Sequence, residues 1–173
     1  MSALHKSFGS FEIKSVDEEK RTFTGTASTP NQDRSKDIMV PKGAKFKLPM
    51  PLLFHHDMRS PIGHVTSAKV TDKGIEVEIH IPEIKEEGKL KDRVDEAYQS
   101  LKYDLVKGLS VGFLPNWDTV EMIKGGGIKF EDWEWYELSL VTIPDNRDSG
   151  TDFKKAFEEH KAALGKKPQT VAD

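Results

Sequence analysis

The stretch Ile62-Gly63-His64-Val65-Thr66-Ser67-Ala68-Lys69-Val70, then Thr71-Asp72-Lys73-Gly74, then Ile75-Glu76-Val77-Glu78-Ile79-His80-Ile81 decides the fold class. Ile75, Val77, Ile79 and Ile81 share one face at the two-residue period of a strand, and Glu76, Glu78 and His80 share the other. The Asp-Lys-Gly run between two β-rich segments suits a tight turn with glycine at a positive-φ position. Residues 62–81 therefore read as a hairpin with one face buried and one face polar.

Working outward, residues 1–10 read as a loose start and residues 11–13 as the opening of a first strand. Residues 21–29 alternate Thr22, Thr24, Thr26 and Ser28 against Phe23, Gly25 and Ala27, a strand with a thin core face. Residues 30–41 are polar and punctuated by proline, which predicts a loop. In residues 87–107, Leu90, Val94, Ala97, Leu101 and Leu105 form one helical stripe, with Gly108 as the stop. Residues 111–113, 119–123 and 128–143 read as further strands, with Gly125-Gly126-Gly127 as a turn. Ser149-Gly150-Thr151-Asp152 resembles a capping box for a last helix over residues 153–164, closed by Gly165. The expectation is a mainly β chain with flanking helices, an antiparallel barrel or sandwich rather than a doubly wound parallel sheet. Residues 1–164 form a single domain in this reading, and residues 165–173 a disordered tail.

Composition narrows the function. The chain has 173 residues, 36% hydrophobic and 32% charged, enough apolar side chains for a core without a metal or disulfide staple. Lys and Arg number 26 against 29 Asp and Glu, a net charge of −3, which argues against a general nucleic-acid binder. The absence of cysteine removes thiol nucleophiles, thiolate metal sites and disulfides. Residues 1–14 hold no apolar core of signal-peptide length, and the longest mostly apolar stretch, residues 48–54, is far shorter than a membrane span, so the expectation is a soluble, unsecreted protein without membrane contact.

Three segments carry residues suited to chemistry. The first is Phe54-His55-His56-Asp57 with Pro61-Ile62-Gly63-His64, which holds three of the six histidines in ten residues. An apolar Pro51-Leu52-Leu53 leads into it, so a histidine there emerges from a buried strand end, placed to act as a base. Ordinary surface histidines are the plainer reading, and metal ligation by His55 or His56, Asp57 and His64 a third, although the spacing matches no tight zinc signature. The second is Gly108-Leu109-Ser110-Val111-Gly112-Phe113. Its Gly-x-Ser-x-Gly letters match a nucleophile elbow, but that elbow runs from strand to helix and this one from helix to strand. A helix stop at Gly108 followed by a glycine-containing strand is the plainer reading of the motif alone. The third is Trp133-Glu134-Trp135-Tyr136-Glu137-Leu138-Ser139-Leu140-Val141-Thr142-Ile143-Pro144. Leu138, Leu140 and Thr142 share one face, and Glu137, Ser139 and Val141 the other. Glu137 is then either solvated or buried with a partner, since an unpartnered buried carboxylate costs several kcal/mol.

Taken together and in this order, Gly25-Thr26-Ala27, Met50 through Asp57, Pro61-Ile62-Gly63, Gly108 through Phe113 and Tyr136 through Pro144 resemble the prohead proteases of tailed phages, serine proteases related in fold to the herpesvirus assembly protease. The resemblance spans roughly residues 23–146. It implies an antiparallel β-barrel of the herpesvirus-protease type, with Ser110 as nucleophile, His56 as base and Glu137 as third member. The herpesvirus relatives use a second histidine at that third place, which keeps His64 and Asp57 as alternatives, and His55 stands beside His56 as the other base. The turn after Pro144, with Asn146 and Arg147, is the implied oxyanion or substrate loop. The helix before Ser110 presents its C-terminal end, whose dipole disfavours an anion.

The resemblance further implies an endopeptidase without a cofactor. Its substrates would be the major capsid protein or its scaffold segment and the protease itself, inside the assembling prohead in the host cytoplasm. It leaves room for a homo-oligomer, since the herpesvirus relatives are activated by dimerisation. Three rivals stand beside it: a non-catalytic capsid-assembly module on the same barrel, a carbohydrate- or small-molecule-binding barrel lined by Trp117, Trp133 and Trp135, and the metal hydrolase. Convergence of Ser110, His56 and Glu137 within hydrogen-bond reach separates the first reading from the others.

Overall fold

The computed structural model describes residues 5–8, 13–17, 19–106, 108–142 and 162. In chain order these build β1 (His5–Phe8), β2 (Ile13–Asp17), β3 (Thr22–Ser28), β4 (Ile38–Met39), β5 (Ala44–Lys45), β6 (Met50–Phe54), β7 (Asp57–Thr71), β8 (Gly74–His80), α1 (Lys89–Lys102), β9 (Gly108–Pro115), β10 (Glu121–Met122), β11 (Ile128–Phe130) and β12 (Trp133–Val141). Apart from residue 162, the expected helix over residues 153–164 and the tail lie outside the described residues, as do Asn146 and Arg147.

The architecture is mainly β with one helix. A large sheet runs in the order β1-β9-β12-β6-β7-β8-β3-β2, with β5 also on β12, and curls into a half-barrel. A small sheet, β10-β11-β4, has its own hydrogen-bond ladder and packs Phe130 against Phe113 of β9 at 5.1 Å between ring centroids. The expectation of a wholly antiparallel sheet needs correction. β6 and β5 both pair with β12 in parallel, at Leu138↔Leu52 and Trp133↔Ala44. The long excursion from β6 through β7, β8 and α1 to β9 lets β12 return alongside β6 in the same direction, which no hairpin-by-hairpin reading produces.

The hairpin that set the fold class is β7 and β8. Its register places Val65 opposite Ile79 and Val70 opposite Ile75, with Ile75, Val77 and Ile79 all buried. Thr71 pairs with Gly74, so Asp72 and Lys73 alone span the turn, and Gly74 sits just past it at φ 149. A Cβ on Gly74 would lie 2.5 Å from the Ser28 carbonyl oxygen, so close strand approach as well as backbone angle calls for glycine there. β7 starts earlier than expected, at Asp57, so the histidine segment joins the hairpin directly.

α1 buries Val94, Ala97 and Leu101, the middle of the expected stripe, while Leu90 and Leu105 are exposed. The helix stops short of Gly108 because Asp104 takes a left-handed conformation, φ 58. Asp104 N–H then donates to Leu101 O and Leu105 N–H to Ser100 O, the paired bonds of a Schellman ending. This turn points Leu105 outward and brings Val106 into the core instead. Arg21 ties α1 to the sheet: its Nε donates to Ile81 O, and its guanidinium stacks 4.0 Å over the Tyr98 ring. Residues 1–10, read as loose, contribute β1, which pairs antiparallel with β9 from His5↔Phe113 to Phe8↔Ser110. The core gathers Phe23, Ile62, Leu109, Val111, Phe113, Phe130, Trp133, Trp135, Leu138 and Leu140, among others.

Candidate active site

β9 runs through the sheet between β1 and β12 and is buried along residues 108–113. Strand alternation sends Leu109, Val111 and Phe113 into the core, so Ser110 and Gly112 face the other side of the sheet. The Gly-x-Ser-x-Gly stretch is therefore a strand interior and not a turn. Ser110 is fully buried and paired on both flanks, with Phe8 and with Ser139.

β12 brings the carboxylate. Trp133 and Trp135 point into the core, so strict alternation would send Glu137 there too. A bulge at Tyr136 interrupts the register, which moves from Trp135↔Phe113 directly to Glu137↔Gly112. The core face thereby passes from Trp133 and Trp135 to Leu138 and Leu140, and Glu137 and Ser139 turn to the Ser110 side. Glu137 is 1% exposed, so the solvated-face reading of it is overturned. Gly112 makes the room: a Cβ there would lie 2.1 Å from Glu137 Oε1.

β6 and β7 bring the imidazole. Phe54 pairs with Asp57, so His55 and His56 form the whole connection, both at positive φ (54 and 58). Two left-handed residues in a two-residue hairpin are the mark of a type I′ turn, usually Asn-Gly; histidine tolerates this region better than most side chains, though at a cost. His55 N–H donates to Leu140 O and His56 N–H to Ser139 Oγ, which fastens the turn over the end of β12.

Side chains from distant parts of the chain therefore converge. His56 Nε2 lies 2.8 Å from Ser110 Oγ, and His56 Nδ1 lies 2.5 Å from Glu137 Oε1. Ser139 Oγ donates to Glu137 Oε2 at 2.7 Å. A carboxylate this deeply buried is tolerated because both oxygens have partners. Ser139 was not singled out for chemistry from sequence, although its two-residue spacing from Glu137 puts both on one strand face.

The other sequence candidates fall elsewhere. The His55 ring packs against Phe54 at 4.2 Å, and its pKa lies below the ordinary histidine value, first because of burial and then because of the neighbouring His56, opposed by Glu96. Asp57 turns away from the imidazole to accept from Arg59 N–H and Ser60 Oγ–H, which hold its carboxyl below the usual range. His64 lies along β7 opposite Pro51 and His80. Among the described residues no group of three or more His, Asp or Glu is arranged to hold a metal ion. Trp133 and Trp135 are core residues packed on each other and on Phe113 and Phe46, not the lining of a closed ligand cavity. An open cleft of about 540 Å³ adjoins the bulge, lined by Lys45, Phe46, Lys47, Pro51, Trp135 and Tyr136 among others.

Comparison with known proteins gives the chain its relatives. The family model for the caudovirus prohead serine protease matches residues 9–163. The chain is 52% identical over 169 residues to a capsid polyprotein of Pseudomonas phage PAJU2, covering 96% of this chain and 25% of that protein. It is 29% identical over 163 residues to the prohead protease of Escherichia phage T5, covering 86% of this chain and 71% of that one. The chain thus spans only about a quarter of the longer relative and most of the shorter. No solved structure matches it significantly. With the match running through nearly all of the described sheet and helix, the chain belongs to the caudovirus prohead serine protease family.

Proposed function

We propose that the chain is a serine endopeptidase of capsid maturation, with Ser110 as nucleophile, His56 as general base and Glu137 as the group that orients and charge-stabilises the imidazole. The observation that carries the reading is the His56 ring bridging Ser110 Oγ and Glu137 Oε1 at 2.8 and 2.5 Å, with all three side chains nearly or wholly removed from solvent.

In this mechanism Glu137 accepts from His56 Nδ1–H, which fixes the tautomer and leaves the Nε2 lone pair toward Ser110. As Ser110 Oγ bonds to the peptide carbonyl carbon, its proton passes to Nε2. The imidazolium then gives that proton to the departing amine nitrogen as the C–N bond breaks, leaving an acyl-serine. Water then gives a proton to the same Nε2 as its oxygen bonds to the acyl carbon; the C–Oγ bond breaks, the imidazolium returns the proton to Ser110 Oγ, and the acid leaves. Asn146 and Arg147 remain the proposed substrate or oxyanion contacts. The domain is proposed to span residues 1–164, with residues 165–173 as a tail.

The substrates proposed are the major capsid protein or its scaffold segment, and the chain itself, within the assembling head in the host cell. The capsid polyprotein relative, four times as long as the matched part, supports a capsid protein as substrate. A homo-oligomer, by analogy with the herpesvirus relatives, belongs to the same proposal. The test is to incubate wild type and Ser110→Ala with the cognate capsid protein and to follow both chains by intact mass. Wild type cuts the capsid protein and Ser110→Ala does not, while their thermal unfolding agrees to within a few degrees. Cutting by the alanine chain at the wild-type rate overturns the assignment.

A further inference from the structure

Ser139 is wholly buried and sits directly opposite Ser110 in the β9–β12 ladder. Its hydroxyl has two partners from different parts of the site. It donates to Glu137 Oε2 at 2.7 Å and accepts from His56 backbone N–H at 3.1 Å. The first bond holds the carboxylate plane so that Oε1 meets the ring. The second holds the backbone of a turn whose two residues both stand at positive φ. One oxygen therefore links the orientation of the carboxylate to the position of the imidazole.

We propose that Ser139 is a positioning residue for the catalytic couple, a latch that sets the angle of Glu137 and the height of His56 over Ser110 without touching substrate. This rests on the reading of Ser110, His56 and Glu137 given above. The physical consequence has a sign. A hydrogen bond donated to a carboxylate spreads its negative charge away from the ring. Without that donor Glu137 holds imidazolium more strongly, so the couple keeps its proton to higher pH. The freed His56 N–H no longer restrains the turn, so fewer molecules hold Nε2 in line with Ser110 Oγ.

The test uses a fluorophosphonate probe, which reports the nucleophile without knowledge of the cleavage site. Its second-order rate of modification at Ser110 is followed against pH, with the modified residue located by mass spectrometry. Ser139→Ala is expected to react about ten- to a hundredfold more slowly at neutral pH. Its acid limb should move to higher pH than in wild type. Ser139→Thr, which keeps the hydroxyl, should return the limb to the wild-type position even if added bulk lowers the overall rate. Should the alanine chain fail to fold, Ser139→Cys serves in its place, since it keeps the size and weakens the donor, and the same upward shift is expected. An unshifted limb in Ser139→Ala, or in Ser139→Cys where that takes its place, overturns the latch, whether the rate is unchanged or uniformly lowered. Wild type that is not modified at Ser110 at all overturns instead the nucleophile reading beneath it.

Discussion

Gly112 and Glu137 face each other across the β9–β12 ladder, and the absence of a side chain on one is what accommodates the other: a Cβ on Gly112 would fall 2.1 Å from Oε1 and 2.6 Å from the carboxyl carbon. Both lie on the sheet face that carries Ser110. The second glycine of the Gly-x-Ser-x-Gly stretch thus serves a buried carboxylate and not a sharp turn.

Gly112→Ala should therefore lower both activity and stability. The methyl group forces Glu137 off its contact with His56, and a shift near an ångström in such a site costs about a hundredfold. Overpacking of this kind costs about 1–3 kcal/mol. Cleavage rate and thermal unfolding measured on the same sample check this; full activity with an unchanged melting temperature would show that the carboxylate has room to spare.

Neighbouring histidines should differ sharply. His56→Ala removes the proposed base and should lower kcat by about ten-thousandfold or more. His55→Asn keeps a side chain suited to left-handed backbone and should stay within about tenfold of wild type. Parallel progress curves decide between them, and loss of activity in the His55 variant alone would move the base by one residue.

Glu137→Gln keeps the shape of the site and removes the charge that favours imidazolium. By analogy with acid-to-amide changes in serine protease triads, kcat should fall by about ten-thousandfold with the fold retained. Circular dichroism and active-site titration with a serine-reactive probe check both halves. A fall of less than about tenfold would leave only a structural role for the carboxylate.

His55 also predicts a pH effect on stability. Its folded pKa is lowered below 6.5, mainly by burial. The unfolded chain therefore binds the proton more readily. The contribution is fully present above the unfolded value and is lost as pH falls from there through the folded pKa. Wild type should lose more melting temperature than His55→Asn on acidification through that window. Parallel curves for the two chains would show that the ring is as free to protonate folded as unfolded.

Local pattern carried much of the architecture. The hairpin of β7 and β8 follows from two-residue alternation around a short turn, and the buried stripe of α1 from helical spacing. The turn-and-strand signals correctly separated the three segments that carry Ser110, His56 and Glu137. The edges of elements were less legible. α1 ends at a left-handed Asp104, because the residue after a helix is chosen by hydrogen bonds to the last carbonyls and glycine is only its commonest occupant. β1 has no local signature because its partner, β9, lies about a hundred residues away.

Residue identities and strand periodicity are local properties, and they suffice for a mainly β chain, its helix, and a serine, a histidine and a carboxylate in separate segments. Tertiary structure alone decided that these meet. The parallel pairing of β6 with β12, the bulge at Tyr136 that turns Glu137 out of the core, and the left-handed His55-His56 turn all depend on which strand lies beside which. Alternation tells which side chains share a face, but only the ladder between distant strands sets which faces coincide and at what register.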